Sequence, residues 1–182
     1  VADYYNADNT YCAVYQEELP GFMAGYAAVK LGYTKLGFLG GMAVPAVGEY
    51  WSGELERLTN YLDKVDRRMA LFDVALHYNF FNASQGRCTL KHIFENTLVN
   101  VRPDQAATFV DNHDTQHGQS LQSFVEDWFK PLAYSIILLH EEGLPCIFYS
   151  DYYGNPVQNR PLVPNLGKLI KARHEYAYGE QK

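Results

Sequence analysis

No run of lysine or arginine gathers anywhere in the chain: 15 basic residues are scattered among 21 acidic ones, for a formal charge of −6 over 182 residues. A phosphate backbone is gripped by clustered cations, so nucleic acid is excluded as a partner. Cysteine is scarce, with only Cys12, Cys88 and Cys146, widely spaced and odd in number. Such spacing offers neither a zinc pattern nor a disulfide framework, so buried thiols are expected and no metal ligands can be picked out. No apolar run reaches the roughly 20 residues that span a bilayer, and no charged-then-apolar leader precedes the first residues. The chain opens on Val1 rather than methionine, as a processed or excised piece would, which leaves the compartment unknown.

What is present is apolar and aromatic. Hydrophobic residues make up 47% of the chain, enough for one well-buried domain but too little length for two generous ones. Aromatics make up 15%, with 15 tyrosines. Core packing accounts for most of them, and so high a share is also common where a cleft stacks flat ligands such as sugar rings.

The most informative stretch is Phe109-Val110-Asp111-Asn112-His113-Asp114-Thr115. An apolar strand, Ala106 to Val110, runs directly into polar residues that a core keeps only if they face a cleft at the strand's C-terminal end. An Asn/Asp turn closing the strand is the plainer reading. The heptapeptide resembles the strand-seven motif of the α-amylase family of glycoside hydrolases. That resemblance implies that His113 binds a sugar hydroxyl and that Asp114 steadies the distorted sugar at the transition state.

The likeness extends over residues 46–182, closest to the bacterial liquefying type. Gly48-Glu49-Tyr50-Trp51-Ser52 looks like the end of strand five, with Ser52 placed to cap a helix bearing Leu55, Leu58, Leu62 and Val65. Met69 to Val74 reads as the next strand, Leu76 to Ser84 as an aromatic, Asn-rich loop, and Leu90, Ile93, Phe94, Thr97 and Leu98 as a helix face. Leu121, Phe124, Val125, Trp128, Phe129, Leu132, Ile136 and Leu139 mark a long amphipathic helix that Pro131 should kink. Pro145 to Tyr149 reads as the last strand, and Leu162, Leu166, Leu169 and Ile170 mark a final helix. The fold class expected is therefore α/β: a parallel sheet with alternating helices, forming half of a (β/α)₈ barrel.

A βαβ unit should precede it. Tyr11 to Tyr15 reads as a strand, Leu19-Pro20 opens a helix that Gly32 stops, and Lys35 to Gly41 reads as a second strand. The phrases Tyr15-Gln16-Glu17-Glu18 and Gly37-Phe38-Leu39-Gly40-Gly41-Met42 resemble the basic membrane protein family of substrate-binding lipoproteins, whose members bind nucleosides. The two resemblances together read as a chimera, with residues 1–45 joined to residues 46–182 near Ala46-Val47.

Retaining glycoside hydrolysis needs a nucleophilic carboxylate, a general acid and support for an oxocarbenium-like transition state. The resemblance assigns the acid/base role to Glu49, and partial burial beside Tyr50 and Trp51 would raise its pKa suitably. Glu49 also reads as a simple helix-entry carboxylate. Tyr50, Trp51, His77 and Tyr78 are candidates for lining sugar subsites, although His77 and Tyr78 also fit plain packing. Asp73 and Asp151 end strands too, the first equally readable as a satisfied core carboxylate; Ser150 stands where the family has Gly. The family's nucleophilic Asp motif is absent, as are recognisable ligands for its usual calcium, so no cofactor is expected. The function expected is that of an α-amylase-like hydrolase fragment acting on or binding α-1,4-glucans with impaired turnover. A non-catalytic sugar- or nucleoside-binding scaffold is the alternative. The open edges of a half barrel suggest a homodimer.

Overall fold

The computed structural model describes residues 46–156 and 160–177, and among these residues four short strands organise the fold. The βαβ unit expected over residues 1–45 lies outside the described residues. Strands β1 (Ala46–Gly48), β2 (Met69–Phe72), β3 (Ala106–Phe109) and β4 (Leu144–Cys146) are hydrogen-bonded in that order, every neighbour parallel. Gly48 lies opposite Leu71, Phe72 opposite Ala107, and Phe109 opposite Cys146. All four C-terminal ends therefore open onto one edge, where Glu49 and the Asp111–Thr115 turn emerge.

Helices alternate with the strands: α1 (Leu55–Lys64), α2 (Val74–Ser84), the short α3 (Leu98–Val101), α4 (Lys130–Leu139), α5 (Tyr149–Tyr153) and α6 (Leu166–Glu175). This is the expected parallel α/β architecture, a partial (β/α) barrel. Every residue of β3 is buried, as a strand covered on both faces requires. Leu58 and Leu62 of α1, Leu76 and Phe80 of α2, Leu98 of α3, Ile137 of α4 and Leu166 of α6 pack into one core. Each such side chain contributes about 1.5–3 kcal/mol on burial. On the two outer strands, Val47 and Leu144 remain 45% and 49% exposed. Among the described residues no helix is long and apolar enough to cross a membrane.

Five local expectations are corrected. Residues 76–84 are helical, not a loop: Asp73 caps α2 by accepting from the Leu76 amide at 3.0 Å, turning the chain straight from strand to helix. Because α2 is buried on several sides, it lacks the polar face that marks a surface helix. The helix read across Leu90 to Leu98 is instead a 3₁₀ turn, Leu90–His92, followed by the separate α3. The long helix through Leu121 begins only at Lys130, and Pro131 lies in its first turn, where a missing N–H costs nothing. Residues 114–129 stay irregular because their amides bond back to the site turn: Leu121 N donates to Asp114 O at 3.1 Å and Ser123 N to Thr115 O at 3.0 Å. Finally, Ser52 does not cap α1; its hydroxyl accepts from Glu54 N, and Glu54 holds the cap position without a side-chain bond. β4 likewise stops at Cys146, and Tyr149 already belongs to α5.

Gly143 is fixed by backbone geometry. It enters β4 at φ +84°, and an added Cβ would fall 2.9 Å from both Thr108 Cγ2 and Val99 Cγ2.

Beneath the C-terminal edge lies a buried ionic cluster. Lys130 Nζ sits 3.0 Å from Asp111 Oδ2 and 2.6 Å from Asp151 Oδ1. Tyr134 Oη donates to the other oxygen of Asp151 at 2.7 Å, and Thr115 Oγ1 donates to Asp111 at 2.9 Å. Burial pushes the Asp111 carboxyl up to about 6, while the Lys130 charge opposes that shift. For Lys130 burial pulls downward, but the two carboxylates outweigh it and hold the ammonium charged. Replacing Lys130 by Met would strand two carboxylates in the interior. Urea unfolding at neutral pH is expected to show a loss of about 3–5 kcal/mol for Lys130→Met; a loss below about 1 kcal/mol, typical of an exposed pair, would contradict this arrangement.

Candidate functional site

Asn112 joins the two residues that the sequence singles out as catalytic. Its Oδ1 accepts from Asp114 N at 2.9 Å and Thr115 N at 3.0 Å, an Asx turn in which one side chain replaces a backbone bond. The Thr115 hydroxyl closes the turn from the other side, accepting from Asn112 N at 3.0 Å. The amide nitrogen of Asn112 is then free to face β1, where it donates to Glu49 Oε1 at a long 3.5 Å. Glu49 and the Asp114 turn thus lie together at one edge of the sheet. The plainer reading of the heptapeptide, an Asn/Asp turn closing the strand, holds.

Glu49 is exposed rather than partly buried as expected, Asp114 is half-buried, and His113 is exposed with Nε2 3.5 Å from Asp114 Oδ2. Trp51 Nε1 donates to Tyr78 Oη at 3.0 Å, and its ring meets Phe109 edge-on at 6.1 Å. Tyr50 parts from this group. Its ring stacks on Tyr61 of α1 at 4.8 Å, in keeping with neighbouring residues leaving a strand toward opposite faces.

His77 is fully buried within α2, not in an exposed loop. Its Nδ1 lies 2.6 Å from Val110 O and its Nε2 2.8 Å from Ser123 Oγ, while its ring stacks on Phe109 at 5.0 Å. It therefore has no exposed surface to offer a sugar. Three further carboxylates near the edge are also occupied. Asp73 accepts from Leu76 N and, at 2.8 Å, from Val99 N; Asp111 and Asp151 share Lys130. Among the described residues no group of His, Cys, Asp and Glu converges in a way that would hold a metal ion.

Sequence reasoning missed the parts played by Asn112, Ser123 and Lys130. The Asp-Asn pair was the available signal for the first. Nothing in a lone Ser or Lys inside an apparently helical stripe marks the other two.

The curated relatives bear on this geometry. The chain is 51% identical over 138 residues to an α-amylase of Geobacillus stearothermophilus, covering 74% of this chain and 25% of that protein. It is 47% identical over 139 residues to the glucan 1,4-alpha-maltohexaosidase of Bacillus sp. (strain 707), covering 75% and 27%. Three quarters of the chain is homologous to α-amylases. The same holds for the cytoplasmic α-amylase of Escherichia coli (strain K12), at 43% identity over 148 residues, 74% of this chain and 30% of that one. The chain spans about a quarter of the first relatives' length. No family model matches.

Burial lowers the His77 pKa from 6.5 to about 4, against a smaller opposite effect of the Val110 hydrogen bond. Between those values the unfolded chain binds a proton that the folded one refuses, so this residue's contribution is lost as pH falls. Asp111, raised to about 6, works the other way, because its folded form holds the proton. Comparing the protein with His77→Asn cancels the Asp111 effect. From pH 7 to pH 4.5, urea unfolding is expected to show the unaltered protein losing about 2–3 kcal/mol more than the variant. Equal losses would mean that the ring is not held neutral.

Proposed function

We propose that this chain is part of an α-amylase-like glycoside hydrolase and that it binds α-1,4-glucan at the C-terminal edge of its sheet. The observation that carries the reading is the Asn112 bridge, which sets Glu49 and the Asp114 turn side by side at that edge. In this reading Glu49 is the acid/base group, placed in the open where a glycosidic oxygen can reach it. Asp114, with His113 beside it, faces the positive charge that develops on the sugar ring. Trp51 and Tyr78, linked by a hydrogen bond, supply an aromatic wall for the sugar to stack against. Relatives named as amylases and a maltohexaosidase favour this substrate class over a nucleoside.

The covalent step lacks an owner. Asp73, Asp111 and Asp151 are buried and engaged, so none is poised to replace the missing nucleophile. Losing such a group costs about four to six powers of ten in rate. Sugar binding with little or no turnover is therefore expected of this chain alone. Calorimetric titration with maltoheptaose should detect binding that Glu49→Gln and Asp114→Asn each weaken, while a reducing-sugar assay on soluble starch stays near background. Failure to bind maltoheptaose would overturn the glucan reading. Turnover near the enzyme median of about 10 per second would reveal a substitute nucleophile.

The outer strands favour assembly as a homodimer. Val47 and Leu144 leave apolar surface on both margins of an all-parallel sheet, the kind of edge that recruits another chain. Light scattering over a dilution series should give a mass that rises toward twice the monomer; a constant monomer mass would exclude the dimer.

A further inference from the structure

We propose that His77 is the positioning residue of the Asp114 loop, held as the Nδ1–H tautomer and latched to that loop through the Ser123 hydroxyl. Carbonyl oxygens only accept, so the 2.6 Å contact with Val110 O puts a hydrogen on Nδ1. A neutral ring then presents Nε2 as an acceptor. Ser123 Oγ lies 2.8 Å from Nε2 and also 2.8 Å from Leu121 O, with one hydrogen to give. Three short contacts call for three hydrogens, whereas a neutral imidazole and a hydroxyl supply two. Leu121 is half-buried, while His77 and its acceptor nitrogen are fully buried. The hydroxyl hydrogen therefore goes to His77, because the buried acceptor has the most to lose when left unpaired.

The latch acts where the loop is sewn to the site. Ser123 N donates to Thr115 O at 3.0 Å, and Leu121 N donates to Asp114 O at 3.1 Å. On its other side the ring lies flat against Phe109, with ring planes 8° apart, and meets Trp51 at 5.8 Å. Helix α2, strand β3 and the loop thereby meet at one imidazole, which fixes the backbone that presents Asp114. The importance of that backbone rests on the glucan reading above; the tautomer and the latch do not.

Long-range proton–nitrogen NMR of the His77 ring tests the tautomer. At pH 7 it is expected to show hydrogen on Nδ1 alone; hydrogen on Nε2, or on both nitrogens, would overturn the proposal. Amide exchange tests the latch. His77→Asn keeps a donor near Nδ1 and removes the group at Nε2, so the Leu121 and Ser123 amides should exchange about tenfold faster. The Asp73 amide, bonded to Ala107 O within the sheet, should be unaffected. His77→Gln returns a polar group near Nε2 and should restore slow exchange at both loop amides, which a bulk packing role would not do. If His77→Asn fails to fold, Ser123→Ala removes the same bond from the loop side and should speed Leu121 alike. Unchanged loop exchange in the folded variants would overturn the latch. Maltoheptaose affinity measured on the same proteins separates the two ideas: no binding by the unaltered protein removes the glucan reading, while ring and exchange data still decide the positioning role.

Discussion

A single ammonium group, that of Lys130, ties the ends of β3 and β4 together beneath the candidate site. It does so because Asp111 and Asp151 are both buried and neither carboxylate tolerates the interior without a counter-charge. From Asp111 the restraint passes through the Thr115 hydroxyl into the Asn112 turn. From Asp151 it passes through Tyr134, whose hydroxyl also accepts from Phe148 N at 3.4 Å. Two loops that a parallel sheet merely brings to the same edge are thereby locked to each other. What projects above this framework is polar, with Glu49 and His113 open to solvent.

The division between buried and presented carboxylates explains how five acidic residues near the strand ends differ in use. Asp73 is consumed as a helix cap, and Asp111 and Asp151 are consumed by Lys130. Glu49 and Asp114 are left facing outward, joined by the two ends of one Asn112 amide. His77 belongs with the first group, as a buried strut whose contacts reach the loop rather than the cleft.

The fold was legible where residues alternate between strand and helix in long, regular phrases. Ala106 to Phe109 reads as a buried strand because every position is small or apolar, and the heptapeptide beginning at Phe109 announces the turn that closes it. Legibility failed where a residue's role depends on distant partners. His77 sits in an aromatic, Asn-rich phrase that looks like a loop, and only the meeting of Val110 and Ser123 at its two nitrogens reveals a buried helix residue. Leu121 to Phe129 carries a helical period that tertiary bonds to Asp114, Thr115 and Asp111 override. Tyr50 and Trp51 are adjacent in sequence, yet one joins Tyr61 and the other Tyr78, a divergence that composition does not foretell.

The central claim is that one edge of a four-stranded parallel sheet receives a glucan between Glu49 and Asp114. A crystal structure of the protein with maltoheptaose tests it most directly. The account predicts a glucose unit within hydrogen-bonding distance of both carboxylates, with Asn112 still joining the Glu49 carboxylate to the Asp114 backbone amide and His77 untouched by sugar. A sugar ordered away from this edge, or in contact with only one of the two carboxylates, would contradict it.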